Sequence, residues 1–297
     1  MPQPAKFRTG YVAIVGRPNV GKSTLLNRLV GQKVSITSRK PQTTRQRISG
    51  ILTLDDAQLV FVDTPGFQTR HGSALNRSMN RVVTQSLAGV DVVLLVIEAL
   101  RFSPEDRALL QLLPAARPVL LVINKTDKLA DRRLLLPFIK QMAAQHAFAE
   151  IVPVSAAKGH SIAELARTIS GYLPEQPALY GADEITESSD RFLAAELIRE
   201  KLFRLLGDEL PYVSAVLIER FVMDGALRRI HASVIVDKDS HKGIVVGARG
   251  SQLKQIGTQA RMDMEKLFGG KVHLEVWVKV RRGWSESRQM LKRLGYA

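Results

Sequence analysis

Residues 16–23 read Gly-Arg-Pro-Asn-Val-Gly-Lys-Ser, and no other stretch of this 297-residue chain restricts its fold as strongly. The segment follows an apolar run at residues 11–15 that predicts a buried strand. It precedes a helix-like run at residues 23–30. Strand, glycine-bearing loop and helix in that order form a phosphate cradle. The glycines let successive backbone N–H groups turn toward one point, and the helix N-terminus adds its dipole. Gly16, Arg17, Pro18, Asn19, Val20, Gly21, Lys22, Ser23 and Thr24 are therefore the expected phosphate-binding residues. Lys22 is expected to reach the β- and γ-phosphates of a nucleoside triphosphate, and the Ser23 hydroxyl to bind Mg²⁺.

Three later segments choose the base and the chemistry. Asn124-Lys125-Thr126-Asp127 ends another strand-like run. A carboxylate at Asp127 can accept from the N1 and N2 protons of guanine, whereas adenine would leave it unpaired. Asn124 is expected to support the loop, and the Lys125 stem to lie over the base. Asp63-Thr64-Pro65-Gly66 follows the run at 58–62. Asp63 is expected to hold Mg²⁺ through water, and the Gly66 N–H to sense the γ-phosphate. Ser155, Ala156 and Ala157, before Lys158, are expected to offer backbone N–H groups to the guanine carbonyl. Between the first two motifs lies the polar, basic stretch 33–47, which contains Pro41-Gln42-Thr43-Thr44-Arg45. One threonine there must complete the Mg²⁺ shell. Position favours Thr44, with Thr43 as the alternative.

The ordered set GRPNVGKS, PQTTR, DTPG, NKTD and SAAK resembles the translation-factor-related GTPases. It most resembles the Era family, in which a G domain precedes an RNA-binding KH domain. The resemblance spans the whole chain. It implies a GTP-hydrolysing switch with GTP or GDP and Mg²⁺ as cofactors. It also implies a role in maturation of the small (30S) ribosomal subunit, through binding near the 3′ end of its 16S RNA. Lys22, Thr44, Gly66 and Asn19 are then the expected catalytic positions.

Phe67 follows Gly66, where better-known small GTPases carry a water-orienting glutamine. Phenylalanine cannot polarise water. Similar GTPases with an apolar residue here and an asparagine in the phosphate loop use bound K⁺, which the resemblance assigns to Asn19. Such a cation offsets charge on the leaving phosphate as an arginine finger does elsewhere. Capping of the loop is the competing role for Asn19.

Composition sets outer bounds. The chain holds 43 Lys and Arg against 28 Asp and Glu, a formal net charge of +15, and no cysteine. Disulfides, thiolate metal sites and cysteine nucleophiles are excluded, and the charge predicts a polyanionic partner. Residues 1–10 show no signal-peptide pattern, and the apolar runs are too short to span a bilayer. A cytoplasmic monomer is expected. A basic tail meeting anionic lipid, with peripheral association at the inner face of the cell membrane, is a second reading.

Alternating apolar runs and amphipathic stretches over residues 1–173 predict an α/β fold, a doubly wound and mostly parallel sheet. Strands are expected at 11–15, 46–52, 58–62, 92–97, 119–123 and 151–154. Helices are expected at 23–30, 76–88, 104–113, 132–146 and 161–172. Residues 174–190, with two early prolines, read as a linker. Residues 191–297 predict a smaller α+β domain. Its elements are a helix at 191–206 capped by Asp190, strands at 213–222 and 227–236, and a short apolar segment at 243–246. A helix at 251–268 and a strand at 272–280 follow. The order resembles a type II KH domain, with Gly247-Ala248-Arg249-Gly250 as its GxxG loop. Two glycines there admit an RNA backbone, and Arg249 adds a cation. Ile244, Val245 and Ile256 are expected to floor the base site. Lys254, Lys279, Arg281 and Arg282 are expected to meet RNA phosphates. Trp277 is expected in the core, and Trp284 at the RNA. A tail helix at 285–296 would present only Met290, Leu291 and Leu294 as an apolar face.

Overall fold

The run ahead of the phosphate loop forms β1 (Arg8–Val15), which lies mid-sheet between β3 (Ala57–Asp63) and β4 (Val92–Glu98). The computed structural model describes residues 7–38, 40, 43–67, 74–207 and 209–296. These divide into two units. One comprises the described residues within 1–35, 44–71 and 79–187; the other comprises those within 36–43, 72–78 and 188–297.

The first unit holds a six-stranded sheet in the order β2-β3-β1-β4-β5-β6, completed by β2 (Ile48–Thr53), β5 (Val119–Asn124) and β6 (Glu150–Pro153). Only the β2–β3 pair is antiparallel. β4 and β5 are buried on both faces, which explains their unbroken apolar sequence. The helices are α1 (Lys22–Val30), α2 (Ala74–Ala88), α3 (Pro104–Leu110), α4 (Leu135–Ala143) and α5 (Ile162–Ser170). The order of strands reverses at β1, so the phosphate loop opens at the switch point where doubly wound sheets bind ligands. Register then aligns the motif ends: Ile14 pairs with Asp63, and Glu98 with Asn124.

The helix expected at 132–146 begins instead as a single 3-10 turn, Arg132–Leu134, and becomes regular only at Leu135. Pro137 lacks an N–H and fits only the first turn of a helix, which fixes that start. The stretch read as a linker lies along the first unit as far as residue 187. The fully buried Gln58 side chain accepts from the Leu179 and Tyr180 N–H groups at 2.8 and 3.0 Å and donates to the Tyr180 carbonyl at 2.9 Å. The Ile51 N–H donates to the Ile185 carbonyl at 2.9 Å.

The second unit contains α6 (Asp190–Leu205), β7 (Ser214–Asp224), β8 (Leu227–Val236), α7 (Asp239–Val246), α8 (Ser251–Phe268), β9 (Val272–Val280) and α9 (Arg288–Arg293). Its sheet runs β7-β8-β9, antiparallel then parallel. Ile198 and Leu202 of α6 pack with Ile230, Ala232 and Val234 of β8 and with Ile256, Ala260 and Met264 of α8. The α6 cap is Ser189, whose hydroxyl accepts from the Phe192 N–H at 3.2 Å. Asp190 is instead the first helical residue, where its charge meets the helix dipole. The 243–246 segment is the end of α7, held helical by burial of Val245 in the core. Among the described residues no helix is long and apolar enough to cross a membrane.

α6 is buried nearly all round and carries its polar residues as internal pairs. Arg199 donates to Glu196 at 2.7 and 2.5 Å. Glu200, fully buried, accepts from Lys201 at 3.1 Å, Arg204 at 2.9 Å and the Thr37 N–H at 3.1 Å. The Lys40 ammonium, from the same short segment as Thr37, donates to the Leu206 carbonyl at 2.6 Å.

Candidate nucleotide and nucleic-acid sites

Gly21 caps α1 at φ 101°, with no side-chain cap on the helix and no acidic residue in its first turn. The N–H groups of that turn are thus left to an anion. A side chain at Gly21 would also strike the Asn124 amide, since a Cβ there falls 2.4 Å from its Nδ2. Lys22 follows, only 6 % exposed, donating to the carbonyls of Gly16 at 2.9 Å and Arg17 at 3.0 Å. Burial pulls its pKa down from 10.5 to about 8, against the opposing pull of Asp63. A buried cation bonded to two carbonyls, with no ion-paired carboxylate among the described residues, is poised for a phosphate.

Ser23, Thr44 and Asp63 converge beside it. The Ser23 hydroxyl donates to Asp63 Oδ2 at 2.7 Å and lies 2.9 Å from Thr44 Oγ1. Ser35 also donates to Asp63 Oδ2, at 3.0 Å. Asp63 is fully buried and its second oxygen, Oδ1, has no hydrogen-bond partner among the described residues. Burial raises its pKa; Lys22 and the three hydroxyls pull the other way. A buried carboxylate with one unsatisfied oxygen, its other oxygen held by hydroxyls, suits a hard, oxygen-seeking dication, so the residues fit Mg²⁺. Thr43 donates its hydroxyl to the Lys40 carbonyl at 2.7 Å. Of the threonine motif, Pro41 and Gln42 lie outside the described residues, as does the segment following Phe67 up to residue 73.

Gly66 lies against the phosphate loop, where a Cβ would stand 2.8 Å from the Pro18 ring. Thr64 is buried and donates to the Ile14 carbonyl at 2.9 Å. Pro65 is buried between them. The Phe67 ring packs on the core around Ala13, Val15 and Leu95. Asn19 is exposed at φ 64°, in the left-handed region that asparagine tolerates.

The base end is tied to the phosphate end through Asn124, which donates to the Val20 carbonyl at 2.8 Å and accepts from the Ala156 N–H at 3.0 Å. Ser155 donates to Asp127 Oδ1 at 2.5 Å, orienting an otherwise exposed carboxylate. Ala157 is exposed beside it. Lys125 adopts φ 66° and reaches Glu98 at 3.0 Å. Glu98 also receives Arg17 at 3.4 Å. Burial works against its charge, but the hydrogen bond and charge of Lys125, with Arg17, win and lower its pKa.

Sequence reasoning missed several supporting residues. Asp106 is fully buried, receives Arg17 Nε at 3.1 Å and closes a capping box with Ser103. The Ser-Pro-Glu-Asp run at 103–106 was its available signal. Asn27 accepts from the Val34 and Ser35 N–H groups at 2.9 and 2.8 Å. Arg28 donates to the carbonyls of Ala156 and Ala157 at 3.2 and 2.9 Å. Neither carries a motif of its own.

In the second unit the GxxG turn is open to solvent. Ala248 and Arg249 are exposed between Gly247 and Gly250, with Arg249 at φ 49°. The eighteen-residue α8 starts at Gly250 without a side-chain cap. Ile244 is 54 % exposed and Lys254 is exposed. Val245 and Ile256 are wholly buried in the core, so of the expected floor only Ile244 reaches the surface. Lys279 is paired to Glu219 at 2.5 Å. Arg281 and Arg282 line a cleft with Ser287 and Arg293.

The two tryptophans reverse their expected places. Trp284 is 1 % exposed and donates from Nε1 to the Val213 carbonyl at 3.0 Å, whereas Trp277 is 43 % exposed. Strand parity explains it: Trp277 pairs with Ser233, on the face of β8 opposite the core. Leu291 and Leu294 are buried as well, which removes most of the tail's apolar face from solvent.

Comparison with known proteins agrees with this geometry. The family model described as 50S ribosome-binding GTPase matches residues 11–125, and the KH domain model matches residues 209–285. The chain is 57 % identical to GTPase Era of Nitrosomonas eutropha over 98 % of each chain. It is 56 % identical to GTPase Era of Chromobacterium violaceum over 97 % of this chain and 98 % of that one. It superposes with TM-score 0.94 and 42 % identity on the crystal structure of a point variant of Aquifex aeolicus Era bound to GDP and AlF4⁻, over 98 % of this chain and all of that one. The same score and identity relate it to a crystal structure of Era in complex with MgGDPNP and nucleotides 1506–1542 of 16S ribosomal RNA, over 98 % and 99 % of the two chains.

Proposed function

The chain belongs to the Era family of GTPases, and on that premise we propose how its own residues run the switch. It binds and hydrolyses GTP, binds 16S ribosomal RNA through its KH domain, and acts in assembly of the 30S subunit. The 50S label belongs to a model matching residues 11–125 alone. Relatives aligned over nearly the whole chain outweigh it.

The observation that carries the catalytic reading is Asp63. Its Oδ2 accepts from the Ser23 and Thr44 hydroxyls, its buried Oδ1 has no hydrogen-bond partner among the described residues, and the buried Lys22 adds its charge. Ser23 and Thr44 would hold Mg²⁺, with Asp63 supporting it. Bound there, Mg²⁺ offsets charge on the β- and γ-phosphates. Lys22 and the α1 N–H groups bind the phosphate oxygens and take up the charge that grows on them during in-line attack by water. The Gly66 N–H reports whether the γ-phosphate is present. Asp127 accepts from guanine N1 and N2, while Ala156 and Ala157 line the carbonyl edge. Phe67, packed on the core, orients no water. Asn19 would hold K⁺, whose charge would offset what an arginine finger otherwise meets.

RNA runs along Gly247, Ala248, Arg249 and Gly250, with Ile244, Lys254, Arg281 and Arg282 beside it. The target is the 3′ region of 16S RNA, by analogy with the relative bound to nucleotides 1506–1542. Coupling follows the chain: the segment 36–43 lies between Ser35, bonded to Asp63, and Thr44, and its Thr37 and Lys40 are bonded to α6 and the turn after it. With Leu291 and Leu294 buried, the tail meets an anionic membrane by charge alone.

The test is GTP hydrolysis in K⁺ and in Na⁺, each with and without a single-stranded 3′-end oligonucleotide. Faster turnover with K⁺ and with RNA supports the reading. Equal rates in both salts remove the Asn19 role, and indifference to RNA removes the coupling.

A further inference from the structure

The face of the second unit's sheet that points away from its helices is only half covered. Alternation along β8 sends Ile230, Ala232 and Val234 into the core and Arg229, His231, Ser233 and Ile235 to the opposite face. At one end of that face Ala215 and Ile235 are buried, close to where Trp284 bonds Val213. The other end is open. There Trp277 is 43 % exposed, and its ring lies 5.5 Å from that of His231 with the planes 57° apart. Arg220 pairs with His231 across the β7–β8 ladder, after a bulge at Glu219.

The charges on this face balance in number, Arg220, Arg229 and Lys279 against Glu219, Asp224 and Glu275, but they are not paired one to one. Its carboxylates are each engaged: Glu219 with Lys279 at 2.5 Å, Asp224 with Arg229 at 2.7 Å, and Glu275 with His273 at 2.9 Å. Exposed Arg220 has no carboxylate partner among the described residues. The open end therefore presents an exposed indole, a tilted imidazole and a guanidinium in no direct carboxylate contact among the described residues, on three adjacent strands.

We infer that this open face is a second platform for single-stranded RNA, on which a base stacks against Trp277 while Arg220 meets the adjoining phosphate. The inference rests on the RNA-binding reading of this unit. Exposed aromatics on a rigid strand ladder are how open sheets accept bases. A protein partner is disfavoured, because ion pairs ring the indole and no continuous apolar patch forms the core that such an interface needs. Continuity supplies the route. β9 is an edge strand, and Val276, immediately before Trp277, packs on the core on the α8 side. RNA leaving the GxxG side rounds a single strand to reach the indole. A KH clamp takes about four nucleotides, so a longer strand needs a further surface.

The experiment uses the full chain with two fluorescent single strands from the 16S 3′ region. One has about four nucleotides, the other roughly 15–20. Trp277→Ala is expected to weaken the long strand about tenfold and to leave the short one within about twofold. Trp277→Phe should restore most of the loss, and Arg220→Gln should lower the salt dependence of the long strand only. RNA should quench the exposed Trp277 fluorescence while buried Trp284 serves as internal reference. Unchanged affinity for the long strand, or equal losses on both strands, overturns the platform. If the native chain binds neither strand, the RNA-binding reading itself fails, which is a separate result.

Discussion

Asn124 donates from its side-chain amide to the carbonyl of Val20 at 2.8 Å, so one residue of the base-reading loop holds the phosphate loop in place. Its oxygen accepts from the Ala156 N–H, which brings in a third motif. Asn124→Ala leaves a buried carbonyl and a buried N–H without partners, a cost of about 1–3 kcal/mol each. GTP and GDP affinity should both fall more than about tenfold, and the midpoint of denaturant unfolding should drop. Titration with a fluorescent guanine nucleotide checks the first effect. Unaltered affinity would mean that the three loops are held by other contacts.

Lys22 gives the nucleotide-free protein a specific pH signature. Its folded pKa is pulled from 10.5 to about 8 by burial. Between those values the unfolded chain binds the proton and the folded chain does not. The unfolded state then holds more protons, so stability rises with pH across that window. Below about pH 8 the buried ammonium costs stability in both acid and neutral solution. Lys22→Met removes that cost. The variant should melt higher than the native chain at neutral pH, and the difference should narrow as pH climbs toward 10.5. It should also lose GTP affinity by at least about a hundredfold, since the phosphates lose their buried cation. A constant gap in melting temperature across the window would show that Lys22 is hydrated.

The two adjacent threonines separate by geometry. Thr44 Oγ1 lies 2.9 Å from Ser23 Oγ and 3.4 Å from Asp63 Oδ2. Thr43 spends its hydroxyl on the Lys40 carbonyl. Thr44→Ala should slow hydrolysis by about 10- to 100-fold and raise the Mg²⁺ concentration needed for half-maximal rate. Thr43→Ala should leave both within about twofold. A Mg²⁺ titration of single-turnover hydrolysis distinguishes them, and the reverse pattern would move the metal ligand to Thr43.

Much of the nucleotide site was legible because its chemistry is local in sequence. Phosphate binding needs glycines, a lysine and a hydroxyl within one strand–loop–helix unit, and residues 16–23 display all of them. The parallel sheet was equally legible, since doubly buried strands such as β4 read as unbroken apolar runs. Supports that act across the fold were not. Asn27 and Arg28 lie in an ordinary amphipathic helix, and only the folded chain brings Arg28 to the Ala156 carbonyl. Trp277 and Trp284 were misplaced for separate reasons. β9 alternates strictly, and its parity places Trp277 with His273, Glu275 and Lys279; the expectation followed the apolar character of the indole instead, while the burial of Trp284 depends on a distant carbonyl at Val213. α6 shows the same limit, because its buried Glu200 and Lys201 look like surface charges until Asp263 and Thr37 are placed beside them.

Gly66 makes the γ-phosphate sensor sensitive to a single methyl group. A Cβ at this position would lie 2.8 Å from Pro18 Cγ and 2.9 Å from both Pro18 Cα and Pro18 N. The Pro18 backbone belongs to the phosphate loop and cannot yield without moving that cradle. The strand before Gly66 is fixed as well, because Thr64 donates to the Ile14 carbonyl at 2.9 Å. Gly66→Ala must therefore shift its own backbone away from Pro18. Its N–H then no longer reaches the γ-phosphate, while the sites for the other phosphates and the base are untouched. GDP affinity should stay within about threefold of the native value, and hydrolysis should fall by more than about tenfold, the cost of losing one donor to developing charge. The difference in RNA affinity between GDP and a non-hydrolysable GTP analogue should shrink in parallel. A variant that hydrolyses GTP at the native rate would show that Gly66 is there for packing against Pro18 and does not sense the γ-phosphate.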